Sequence, residues 1–296
     1  MNTSIKQISR YFILATLFIF TTPVLAKTQI EIDYDTASFK NEKLKAGNIE
    51  VAVSYDKKEE FDEVDNLRYQ ILYNGVPQIT NGAYTRLTGG VFLQDLDGNG
   101  IAEVVVRTFS GGAHCCTNYT IYTLQNHQFM QTETGFLDGI GGTFQDLNKD
   151  GKIEFLTSDN SFLYAFSSYA GSFAPSRIYT FINGKFNNVT RQYPQYLKSR
   201  AWEMYQAFLQ SKKEQHEVNG ILAGYVAQKA LLGEYEEGWK FMLANYDRTS
   251  DWGLAIYQED REIDKYPDFP TALRAFLIQQ GYLDKNGKPK MTYSKD

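Results

Sequence analysis

The spacing of hydrophobic residues changes period near Thr190. Upstream, short runs rich in Val, Ile, Tyr and Phe are separated by Gly, Asn and Asp, the pattern of strands joined by tight turns. Ile121-Tyr122-Thr123-Leu124-Gln125-Asn126 ahead of Phe129, and Ile178-Tyr179-Thr180-Phe181-Ile182-Asn183-Gly184 ahead of Phe186, each predict a strand, a turn and a second strand. A fainter copy ends at Tyr69-Gln70-Ile71-Leu72-Tyr73-Asn74-Gly75, which places the start of a degenerate first repeat near Gly47. Downstream, Ala201, Met204, Tyr205, Phe208 and Leu209 recur at helical spacing, as do Ile221, Leu222, Tyr225 and Val226, then Trp239, Met242, Leu243 and Tyr246, then Leu273, Phe276 and Leu277. This half is predicted to be helical, with Asn219 capping the second helix, Gly233 ending it, and Pro267 and Pro270 marking the start of the last.

The predicted fold class is an α+β multidomain chain. Antiparallel β repeats come first, as an irregular or partial β-propeller or alternatively a β-sandwich, and a C-terminal helical domain follows. The expected divisions are a signal peptide at 1–26, the β-repeat domain at 27–192, the helical domain at 193–283 and a flexible tail at 284–296. The leader is read from Lys6 and Arg10, the apolar stretch Tyr11 to Phe20, and Val24-Leu25-Ala26, with cleavage after Ala26. Its apolar stretch falls well short of the roughly 20 residues that span a bilayer. No membrane span is expected, and the address is the periplasm, with full secretion as the variant.

Composition narrows the function. Of 296 residues, 43% are hydrophobic and 15% aromatic, enough for a real core. Thirty basic against 35 acidic residues give a net charge of −5, with no long basic run, so nucleic acid is not an expected partner. Two cysteines exclude a disulfide-stapled scaffold.

The chemistry concentrates in two matching loops. Asp95, Asp97, Asn99 and Glu103 occupy positions 1, 3, 5 and 9 of a loop with Gly100 at position 6; Asp146, Asn148, Asp150 and Glu154 repeat this around Gly151. Alternate oxygen donors, with the main-chain carbonyls of Ile101 and Lys152 at position 7, suit a hard cation that needs six to eight oxygens. Ca2+ is the expected cofactor, bound structurally rather than catalytically. Val106 and Thr157 stand where a helix-loop-helix site has its bidentate Glu, and strand residues follow, so these loops join strands. The competing reading is that Asp, Asn and Gly here are ordinary turn residues.

With a Gly-Gly-x-Phe strand before each loop, residues 47 to 190 resemble the FG-GAP or VCBS repeat family of integrin-type propellers. The resemblance implies calcium-holding loops and blades that present surfaces to proteins or glycans, with no single activity. The repeat number is low, the first copy lacks its loop, and the helical half lies outside the family pattern.

Ser110-Gly111-Gly112-Ala113-His114-Cys115-Cys116 sets both cysteines side by side in a turn. Exported thiols are usually oxidised, so a vicinal disulfide is expected ahead of intermolecular bridges or buried thiols. His114, Cys115 and Cys116 then form a contact surface. The leading functional expectation is an exported, calcium-stabilised, non-enzymatic binding protein with a periplasmic protein or glycan partner. One alternative is an inhibitor or immunity protein that neutralises a secreted toxin or cell-wall enzyme. The other is an exported hydrolase or redox enzyme in which His114 activates a cysteine.

Overall fold

A computed structural model describes residues 26–58, 64–139 and 141–290. The signal peptide, apart from Ala26, and the last six residues of the expected tail lie outside these.

Three antiparallel sheets follow one another along the chain. After β1 (Gln29–Ile32), strands β2 (Phe39–Ala46), β3 (Ile49–Tyr55), β4 (Leu67–Tyr73) and β5 (Val76–Ala83) form the first, each paired with the next. The second is built from β6 (Gly89–Gln94), β7 (Glu103–Phe109), β8 (Cys115–Gln125), β9 (Gln128–Glu133) and β10 (Leu137–Asp138), with β1 added beside β6. β8 is long enough that β9 pairs with its C-terminal half and β10 with its start. The third runs β11 (Thr143–Gln145), β12 (Glu154–Ser158), β13 (Ser176–Ile182) and β14 (Lys185–Asn188). The first repeat therefore begins at Phe39, not near Gly47.

The last hairpin of each sheet turns on two residues at positive φ: Asn74-Gly75 at 52° and 76°, Asn126-His127 at 49° and 64°, Asn183-Gly184 at 51° and 74°. That backbone matches the twist of the flanking strands and favours Asn and Gly. The first connection differs among sheets. β2 and β3 are joined by Gly47-Asn48 alone, whereas residues 95–102 and 146–153 form long loops in the second and third.

The middle sheet is buried on both faces. Val91, Val104 and Val106 share one core with Val51, Val53 and Ile71 of the first sheet. Val105, Tyr119 and Ile121 share another with Phe155 and Phe181 of the third. Side chains alternate across a strand, so the unbroken run Val104-Val105-Val106 serves both neighbours. Among the described residues no sheet closes into a barrel and no propeller ring forms. The architecture is α+β, mostly antiparallel sheets followed by a helical region.

The helices are α1 (Pro194–Lys213), α2 (Asn219–Leu231), α3 (Tyr235–Asn245) and α4 (Phe269–Gln279). The expectation of an all-helical C-terminal half is corrected by a hairpin, β15 (Ala255–Gln258) and β16 (Arg261–Lys265), turning on Glu259 and Asp260 at φ 49° and 61°. Asn219 does not cap α2. Its side chain instead bonds both main-chain groups of Asp247, at 2.9 and 3.0 Å, tying α2 to the end of α3. Phe162 and Phe166, from the β12–β13 connection, enter the helical core with Leu197, Phe208, Leu222 and Leu273. Buried Gln228 completes the join, accepting from Ser176 N–H and donating to the Leu197 carbonyl.

Candidate functional site

The two carboxylate loops connect β6 to β7 and β11 to β12, and the bonds from their main-chain N–H groups to their side chains correspond one for one. Asp95 Oδ1 accepts from the N–H of Gly98 and Asn99 at 2.8 and 3.1 Å, and Oδ2 from Gly100 at 2.8 Å. Asp97 takes Asn99 N–H at 3.2 Å and Asn99 Oδ1 takes Ile101 N–H at 2.7 Å. Glu103 Oε2 reaches back to Leu96 N–H at 2.8 Å. In the second loop Asp146 accepts from Lys149, Asp150 and Gly151, Asn148 from Asp150, Asp150 from Lys152, and Glu154 from Leu147. Gly100 and Gly151, at φ 85° and 86°, allow the bend at position 6. The loops also touch: Ile153 N–H donates to the Leu96 carbonyl at 3.0 Å.

The first loop draws its carboxylates together. One oxygen each of Asp95, Asp97 and Glu103 lie within 4.8 Å of one another, and among the described residues no second such trio occurs. Glu103 is 1% exposed. Burial pushes its carboxyl up to about 7 against the pull of Leu96 N–H, with the Asp97 and Asp95 charges adding to the rise. In the second loop Asn148 Nδ2 donates to Asp150 Oδ2 at 3.0 Å, and the Lys152 N–H and that amide hold Asp150 below its ordinary value. Tyr193, which opens α1 and which the sequence did not single out, meets Glu154. Burial and then that bond raise its hydroxyl.

Cys115 and Cys116 begin β8, joined by a cis peptide with their sulfurs against each other. Ser110 frames them: its N–H donates to Cys116 O at 3.0 Å, while its hydroxyl donates to Cys115 O and accepts from Cys116 N–H. His114 stacks on Tyr169 with ring centroids 3.9 Å apart, and Tyr164 meets it edge-on. Tyr169 donates to Asp138 Oδ2 at 2.6 Å, and that bond, then burial, pushes its hydroxyl up to about 12. Trp252 Nε1 donates to the Tyr164 carbonyl at 2.8 Å. Tyr164, Tyr169 and Trp252 escape a sequence reading because they join His114 only through folding.

The fold defines an α+β chain, and no described helix is long and apolar enough to cross a membrane. Residues 197–281 match the profile of the sll0997 C-terminal domain. The chain is 35% identical over 261 residues to a Synechocystis protein described as "Probable thylakoid lumen protein sll0997", covering 82% of this chain and 76% of that one. It is 36% identical over 194 residues to "Uncharacterized protein y4bJ" of Sinorhizobium fredii, covering 61% of this chain and 30% of that one. No solved structure matches it. The chain belongs to the sll0997 family.

This corrects the resemblance to FG-GAP or VCBS repeats. The matching profile is that of the sll0997 C-terminal domain, and the relationship runs through both halves of the chain. The residues that carried the resemblance form short Asp/Asn/Gly bends, local turn chemistry that unrelated folds share.

Proposed function

We propose that this chain is an exported, non-enzymatic binding protein whose β half is stiffened by calcium. The observation that supports it is the convergence of Asp95, Asp97 and Glu103. Three carboxylates drawn this close, one of them buried, repel one another unless a cation sits among them. With the Asn99 amide oxygen and the Ile101 carbonyl they make five oxygen donors, to which water adds the remainder of a calcium shell. Asp146, Asn148, Asp150, the Lys152 carbonyl and Glu154 form the second, weaker position, where Lys149 and Lys152 oppose a cation. The ion's work is mechanical: it fixes the β6–β7 connection against its neighbour in the third sheet. The compartment is the periplasm or a lumen reached by the same route. The partner, a protein or glycan, meets the turn at His114, Cys115 and Cys116, stiffened by a disulfide between the two cysteines.

Calorimetric calcium titration and thermal melting with and without chelator test the reading. A site at about one hundred times its Kd adds roughly 2.7 kcal/mol, which should raise Tm by roughly 5 °C or more in a chain of this size. Asp95→Ala should remove most of that gain. Equal melting with calcium and with chelator would overturn the metal assignment, and alkylation of both cysteines without prior reduction would overturn the disulfide.

A further inference from the structure

A cleft of about 450 Å3 lies between the second and third sheets, within the range of roughly 300–1,000 Å3 typical of small-molecule sites. Its floor is aromatic. Phe155 and Tyr179 are cross-strand partners on β12 and β13, and the Phe186 ring of β14 lies 5.6 Å from the first and 5.9 Å from the second. Leu137 of β10 is an aliphatic wall, and Asn160 and Ser161 line a polar end. Beneath that end Arg177 and Asp159 form a buried ion pair. Asp159 also accepts from the Ser161 hydroxyl at 2.7 Å and the Tyr282 hydroxyl at 3.0 Å. The polar end is therefore held by bonds that reach from the sheet into the helical half.

The lining selects a ligand class. Glu133 and Asp159 outnumber Arg177, so a bound anion would face a net negative wall. An apolar floor of inclined rings, Phe186 at 75° to Tyr179 and at 47° to Phe155, bordered by hydroxyl and amide groups, fits a molecule with apolar faces and a polar edge. A pyranose ring has that form: its C–H face packs on an aromatic ring while its hydroxyls reach sideways to polar side chains. We propose that this cleft binds a neutral sugar ring, with the Tyr179 ring as the stacking face, Phe186 standing at a steep angle beside it, and Asn160 and Ser161 at the hydroxyl edge. β10 links the cleft to the cysteine turn, since Leu137 lines one and Asp138 pairs with Cys115 in the other. The proposal names the ligand class of the binding reading but needs no metal.

Saturation-transfer NMR and calorimetry on the full mature chain, with cellobiose, maltose and N,N′-diacetylchitobiose, test it. Glucuronate serves as the anionic comparison and tetramethylammonium as the cationic one. At least one neutral disaccharide should bind saturably, and Tyr179→Ala should weaken it roughly threefold to tenfold, the worth of one aromatic stack. Asn160→Ala leaves the aromatic floor whole and should weaken the same sugar without lowering Tm, which keeps the test valid if Tyr179→Ala folds poorly. No saturable neutral sugar, affinity unchanged in both variants, or binding of glucuronate or tetramethylammonium alone would overturn the proposal. Running each titration in chelator as well as calcium separates its failure from that of the metal assignment.

Discussion

At the scale of single residues, the group with most to lose is Asp159. Burial works against its ionisation, but the Arg177 charge and the bonds from Ser161, Arg177 and Tyr282 outweigh it and hold the carboxyl below 3.8. Replacing Asp159 with Ala removes the carboxylate of a buried ion pair, so stability in urea unfolding should fall by about 3–5 kcal/mol. A folded-state pKa below the unfolded one gives stability that is complete above the ordinary carboxyl value and lost as pH falls through the folded one. Acid unfolding of the native chain should thus carry a term below roughly pH 4 that Asp159→Asn lacks. Nothing in the sequence marks this residue. Its partners are distant in the chain: pairing of β12 with β13 brings Arg177 beside it, and Tyr282 comes from just beyond the end of α4.

At the scale of elements, what could be read in advance was what is local. Asn74-Gly75, Asn126-His127 and Asn183-Gly184 need only their own backbone to form hairpins, and the Asp/Asn/Gly loops only their own side chains. The β15–β16 hairpin was hidden because its strands are short and exposed, with little alternation to betray them. The Asn219 cap failed because a tertiary bond to Asp247 claimed the side chain. The loops differ instructively at position 4, where Gly98 sits at φ 73° and Lys149 at φ 63°. A left-handed residue with a Cβ costs roughly 1–2 kcal/mol, partly offset by the greater freedom glycine gives the unfolded chain. Lys149→Gly should therefore raise unfolding stability by about 0.5–1 kcal/mol, and unchanged urea midpoints would show that the loop carries no such strain.

At the scale of the whole molecule, the row of three sheets depends on its middle member, which shares cores with both neighbours. β1 completes that member: Ile30 and Ile32 are buried, and Lys27 and Thr28 carbonyls accept from Lys45 and Leu93 N–H. Deleting residues 27–32 should lower Tm and leave the β6 edge unpaired, a template for pairing between copies. Light scattering would then rise with protein concentration, whereas a monomeric deletion variant would show that the edge is otherwise covered.

The place of β1 also bears on how the chain assembles. Synthesis delivers its N-terminal end first, yet the strand that must receive it, β6, arrives only after the entire first sheet. Ile30 and Ile32 wait unshielded during that interval, so the step most open to holding chaperones is the earliest to emerge and among the later to settle.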